Sequence, residues 1–175
     1  YNNLRLNQTH LNAGETVEVT LDVKNTGTLS GAEIVQLYVS HRSNVMFTPI
    51  QELKGFEKVY LNPGETKTVS FSLERRDLCY YDVAVEDWRV EGGMYEIRLS
   101  ASCQDTRLQA AIEAKPDEDI HVPDFRETAP CYYDLSNGID APDSAFAAVL
   151  GREIPARERQ KGEKHTLNVT LSEVK

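Results

Sequence analysis

One phrase occurs twice in this chain and constrains its fold more than anything else in the sequence. Residues 11–23 read Leu-Asn-Ala-Gly-Glu-Thr-Val-Glu-Val-Thr-Leu-Asp-Val, and residues 61–73 read Leu-Asn-Pro-Gly-Glu-Thr-Lys-Thr-Val-Ser-Phe-Ser-Leu. In each copy a glycine-centred turn opens a run that alternates apolar and polar residues. Val19, Leu21 and Val23 share one side of the first run, and Val69, Phe71 and Leu73 share one side of the second. A period of two marks a strand with one buried and one wet face. Two strands entered by the same turn belong at related places in a single antiparallel β-structure. Nothing in the phrase carries chemistry.

The rest of the first 114 residues fits that reading. Strands are expected over 1–6, 16–24, 33–40, 53–61, 67–73, 81–90, 94–101 and 107–112, with a bulge at Gly55 and a turn at Gly92 and Gly93. Trp88, the single tryptophan, is expected to fill the core between sheets. Seven or eight short strands at turn-marked intervals, with almost no helical spacing, describe an all-β, two-sheet antiparallel sandwich over residues 1–114.

Beyond Lys115 the character changes. An acidic stretch at 116–119 is followed by Pro123, Pro130 and Pro142, and residues 115–175 read as an extended linker without a core of their own. One short helix is expected near 142–150, capped by Asp140, stopped by Gly151, and presenting Phe146, Val149 and Leu150 on one face. A further strand is expected at 166–171. A helix of that length needs a partner surface, which makes the tail a connector to another domain.

Composition excludes several functions. With 175 residues and a formal net charge of −9, the chain lacks the clustered positive surface that nucleic acid or an anionic membrane requires. The one basic stretch, 152–164, is interleaved with Glu153, Glu158 and Glu163, as in a solvated segment. No apolar run approaches the ~20 residues that span a bilayer. The first residues do not form a signal peptide, and three cysteines without a Cys-x-x-Cys spacing point to free thiols in a reducing, cytoplasmic setting.

Chemistry-bearing patterns are few. The four histidines have no metal-ligand spacing, and no nucleophile elbow, phosphate loop or dinucleotide fingerprint is present. No cofactor, metal or catalytic residue is expected. Asp82, Glu86, Asp87 and Glu91 lie close enough in sequence to suggest a carboxylate cleft, but such a run more often forms the solvated side of a strand and its turns. Cys-Tyr-Tyr-Asp occurs at 79–82 and again at 131–134, a coincidence of tyrosine-rich packing segments on this reading. The loop from His41 to Pro49 holds Met46 and Phe47 among polar residues, and these need a partner to cover them. With Phe146, Val149 and Leu150 they form the expected inter-domain contact set.

Four segments carry a resemblance: 31–39 (Gly-Ala-Glu-Ile-Val-Gln-Leu-Tyr-Val), 53–66 (Leu-Lys-Gly-Phe-Glu-Lys-Val-Tyr-Leu-Asn-Pro-Gly-Glu-Thr), 88–95 (Trp-Arg-Val-Glu-Gly-Gly-Met-Tyr) and 100–108 (Ser-Ala-Ser-Cys-Gln-Asp-Thr-Arg-Leu). In this order and spacing, residues 1–112 resemble the fibronectin type III-like domain of glycoside hydrolase family 3, the β-glucosidases and related exo-glycosidases. The resemblance implies an immunoglobulin-like sandwich that packs on a catalytic barrel and an α/β sandwich domain of the same polypeptide. It implies a retaining parent glycosidase whose catalytic residues lie in those other domains. The tail resembles the connector of permuted members, in which this module sits mid-chain. A carbohydrate-binding or adhesive module is the alternative expectation.

Overall fold

The computed structural model describes residues 1–42, 48–82, 85–117, 123–134, 136, 138 and 140–154. Among the described residues ten strands run in chain order: β1 Asn2–Leu6, β2 His10–Leu11, β3 Thr16–Lys24, β4 Gly31–His41, β5 Glu52–Leu61, β6 Thr66–Glu74, β7 Tyr80–Asp82, β8 Asp87–Arg89, β9 Gly93–Ser102 and β10 Asp105–Ala114. A three-stranded sheet has the order β1-β3-β6, and a five-stranded sheet the order β2-β10-β9-β4-β5. The remaining pair, β7 and β8, is a separate hairpin. Every pairing is antiparallel except the short β2–β10 contact. This is the expected all-β sandwich.

The repeated phrase has a specific job in this architecture. Its first copy carries the chain from β2 in the larger sheet to β3 in the smaller, and its second copy carries it from β5 to β6. The two arriving strands then pair with each other along their whole length, from Thr16 opposite Glu74 to Lys24 opposite Thr66. Val17, Val19 and Leu21 therefore lie opposite Leu73, Phe71 and Val69 on the inner face. Leu11 and Leu61 are buried where the chain crosses between sheets.

Both crossing turns are built alike. The amide of Glu15 donates to the Asn12 carbonyl (3.2 Å) and that of Glu65 to the Asn62 carbonyl (3.0 Å). The glutamate side chain closes the loop by accepting from the asparagine amide, 2.8 Å in the first copy and 2.7 Å in the second. Those amide bonds hold the Glu15 and Glu65 carboxyls below the usual carboxylate range. Gly14 and Gly64 sit at φ +77° and +75°, which a side chain resists, so the glycine is the fixed point of the phrase.

The inner faces supply one core. Val35, Leu37, Tyr95, Ile97, Leu99 and Ile112 from the larger sheet meet Val17, Val19, Leu21, Val69 and Leu73 from the smaller. The expected bulge is present: Leu37 lies opposite Gly55 but Tyr38 lies opposite Leu53, which leaves Lys54 as the extra residue. A Cβ on Gly55 would stand 3.0 Å from the Phe71 ring, so the glycine lets the smaller sheet approach.

Two expectations are corrected. Residues 81–90 do not form one strand; β7 and β8 fold back on each other with Asp82 opposite Asp87, and Glu86 takes a left-handed φ of 52° in the turn. Charged residues on both sides of this segment leave it no apolar face to bury against a sheet. Trp88 is accordingly no core filler but 44% exposed on the hairpin.

Residues 1–124 form one unit and those from Phe125 onward a second. Within the second, the Ala129 amide donates to the Phe125 carbonyl (2.7 Å) and the Phe125 amide to the Tyr133 hydroxyl (3.1 Å). Its helix, α1, spans Asp143–Leu150 and ends at Gly151 with φ +71°. Pro142, not Asp140, occupies the N-cap and offers no side-chain bond. The strand expected at 166–171 lies outside the described residues.

Candidate interdomain surface

β4 and β9 finish and start at the same end of the sandwich, where His41 lies opposite Tyr95. The His41 to Glu52 connection, the β7–β8 hairpin and the 90–92 segment gather there: Thr48, Pro49, Cys79, Tyr80 and Glu91 line one small cavity with His41 and Tyr95. At about 30 Å3 it has room for water but lies far below the roughly 300–1,000 Å3 of small-molecule sites.

Anchors hold this end on both sides of the larger sheet. On the inner side the His41 ring stacks on Tyr95 (4.1 Å between centroids) and its Nδ1 lies 3.5 Å from Glu91 Oε2. The Tyr95 hydroxyl donates to the Glu91 carbonyl at 2.7 Å. On the outer side Arg98 donates twice to Glu96 Oε2 (2.7 and 3.0 Å) and Arg42 once to Oε1 (3.3 Å). These bonds, Arg98's foremost, hold the nearly buried Glu96 carboxyl below its usual range. Arg98 also donates to Gln51 (2.9 Å), and Ser40 Oγ donates to the Ile50 carbonyl (2.6 Å). Residues 40–42 and 50–51 are thus tied to the sheet. Met46 and Phe47 themselves lie outside the described residues.

A second clamp fixes the hairpin's exit. Arg75 donates to Asp117 (2.7 Å) and to the Lys115 carbonyl (2.8 Å), while the Val90 amide donates to the other Asp117 oxygen (2.8 Å). Burial opposes ionisation of Asp117, but these two donors win and its pKa stays low.

Burial lowers the His41 pKa, and the neighbouring Glu91 only partly offsets this. The neutral ring is the form the fold accepts. Below about pH 6.5 an unfolded chain takes up a proton that the folded chain refuses. This stabilisation is complete above that pH and is lost as pH falls toward the folded-state value. Urea unfolding at pH 7.5 and 5.5 should show a larger drop in midpoint for the wild type than for His41→Phe; equal drops would exclude His41 as the source.

Apolar side chains also cover part of the larger sheet's outer side. Ile34 on β4 and Leu53, Phe56 and Tyr60 on β5 are 44%, 49%, 67% and 63% exposed. Register places Phe56 opposite Gln36 and Lys58 opposite Ile34, so Ile34 stands between Phe56 and Tyr60 along the edge strand. Sequence reasoning misses this stripe because the bulge at Lys54 shifts the alternation of β5 by one residue. Of the helix residues expected to dock, Phe146 and Leu150 are 46% and 37% exposed and Val149 is half-buried, while Ala145 is the buried position.

The suspected carboxylates form no cleft. Glu86 and Asp87 are exposed on the hairpin, Asp82 is half-buried opposite Asp87, and Glu91 lies beside His41. Among the described residues no three His, Cys, Asp or Glu side chains converge in a way that could hold a metal. The three cysteines are unpaired.

Comparison with known proteins gives this geometry its context. Residues 33–103 match the model of the fibronectin type III-like domain. The chain is 35% identical over 153 residues to thermostable β-glucosidase B of Acetivibrio thermocellus, covering 86% of this chain and 19% of that protein. It is 40% identical over 99 residues to probable β-glucosidase N of Emericella nidulans, covering 57% of this chain and 15% of the relative. Among solved structures, a β-D-glucoside glucohydrolase from Trichoderma reesei superposes with TM-score 0.54 at 39% identity, over 57% of this chain and 14% of that one. The β-glucosidase of Listeria innocua in complex with glucose gives 0.57 at 30% identity, over 64% and 16%. The chain thus spans about a fifth or less of the length of these relatives. It carries a fibronectin type III-like domain of the glycoside hydrolase family 3 β-glucosidases.

Proposed function

We propose that the chain is a non-catalytic scaffolding module of a β-glucosidase-like hydrolase that cleaves terminal β-linked sugars with retention. Its partners are the catalytic barrel and α/β sandwich domains of the same polypeptide. The observation that carries this reading is the exposed apolar stripe of Ile34, Leu53, Phe56 and Tyr60. Such a stripe suits a partner domain, and inter-domain contacts typically bury roughly 600–1,500 Å2. Met46 and Phe47 and the helix residues Phe146, Val149 and Leu150 contribute further contacts. On this reading the module sits mid-chain with the barrel following; the similarity to the Acetivibrio thermocellus enzyme runs along 153 residues and so includes part of the tail.

The purified chain should not turn over an aryl β-glucoside, and Phe56→Asp should act only in the whole enzyme. There it should lower the unfolding temperature by several degrees, whereas in the isolated chain an exposed substitution stays within about 0.5 kcal/mol. Turnover by the chain, or an equal loss in both contexts, defeats the scaffolding role.

A further inference from the structure

The hairpin that displaces Trp88 from the core leaves a feature the scaffolding role does not use. Tyr81 and Trp88 are direct cross-strand partners, 47% and 44% exposed, with their rings edge to face at 5.4 Å. The Arg76 guanidinium lies 3.4 Å from the centre of the Trp88 ring. That stack occupies one face of the indole and fixes its plane, so little side-chain freedom remains to be lost on binding. The ionic neighbours of Trp88 in sequence fall on the other face of the hairpin. Arg89 Nη1 lies 3.7 Å from Asp87 Oδ2, and Asp87 Oδ1 accepts from the Trp88 amide at 2.8 Å.

We propose that Tyr81 and Trp88 form a binding platform for a gluco-configured pyranose of a neutral oligosaccharide. A β-glucopyranose ring carries its hydroxyls equatorially, which leaves axial C–H groups on both faces. Those weakly positive hydrogens match the negative face of an aromatic ring. The equatorial hydroxyls then point outward in the plane of the sugar, toward solvent. A protein hot spot favours a different setting, an aromatic in a dry pocket ringed by apolar contacts. Here the one exposed aliphatic side chain of the hairpin is Val85, among the described residues. The inference does not depend on the scaffolding role.

Because Trp88 is the only tryptophan, its emission reports on this site alone. Titrating the 175-residue chain with cellotriose should give a saturable change in emission with a midpoint on the order of 1 mM. Mannitol, an acyclic polyol, should give none. Tyr81→Ala should weaken binding about fivefold with the tryptophan signal retained. Trp88→Ala should abolish the amide NMR shifts caused by cellotriose while keeping the dispersion of a folded sandwich. No saturable change, an equal response to mannitol, or undiminished shifts in Trp88→Ala overturns the proposal. An emission blind to sugar but shifted to the blue by separately produced catalytic domains assigns the pair to domain docking instead, and overturns it too.

Discussion

Gly92→Ala should destabilise the sandwich by about 3 kcal/mol or more, since Gly92 meets the closest approach among the described glycines. A Cβ at Gly92 would stand 2.3 Å from Cδ of Pro116, 2.5 Å from its backbone nitrogen and 3.0 Å from its Cα. None of these atoms ends a flexible side chain, so the clash cannot be relieved by a rotamer change. Gly92 is not among the glycines with positive φ, and the cost is therefore steric rather than conformational. The segment that would have to move is the one Asp117 ties down. Displacing Pro116 strains the Asp117 bonds to Arg75 and to the Val90 amide, and with them the exit of the hairpin. In a unit of this size the thermal midpoint should fall by roughly 10 °C. A fall of only a degree or two would mean that the 115–117 strap is not packed as described.

Leu21→Ala should cost about 3 kcal/mol, within the roughly 2–5 kcal/mol typical of buried leucines. Leu21 is fully buried, lies opposite Val69 and sits within the long β3–β6 ladder. Its neighbours belong to two sheets already held by their hydrogen bonds, so the cavity cannot close by collapse of one side chain. Thr20→Ala, one residue away on the outer side, should change stability by no more than about 0.5 kcal/mol. Chemical denaturation of the two variants tests the claim directly. Similar losses from both would contradict the assignment of inner and outer faces to the first repeat strand.

The two sites differ in how plainly the sequence announces them. Leu21 is legible at once, because the repeated Leu-Asn-x-Gly-Glu-Thr phrase opens two equivalent strands through a left-handed glycine and a two-residue alternation, both local requirements. The helix stop at Gly151 is legible for the same reason, and the bulge at Lys54 from the glycine beside it in a strand pattern. Gly92 is legible as a turn, but its close approach to Pro116 is not. Trp88 defeats the usual rule that a large apolar residue is buried, since the hairpin carries it outward with Tyr81, under the Arg76 guanidinium. The exposed stripe on β5 escapes a reading by alternation, since a single extra residue reverses which side of the strand faces the core.

Elements and corners are therefore written locally in the amino-acid order, where backbone conformation and side-chain period are decided within a few residues. Local order does not dictate that the two copies of the phrase are both crossings between sheets, or that the strands they open pair with each other. Nor can it place Arg75 on Asp117, His41 on Tyr95, Arg76 on Trp88 or Gly92 against Pro116. Most of those pairs are separated by tens of residues, and even the nearer ones meet only after a turn in the chain. They meet because burying the two alternating faces against each other leaves one relative placement of the sheets, and that placement is a property of the whole chain.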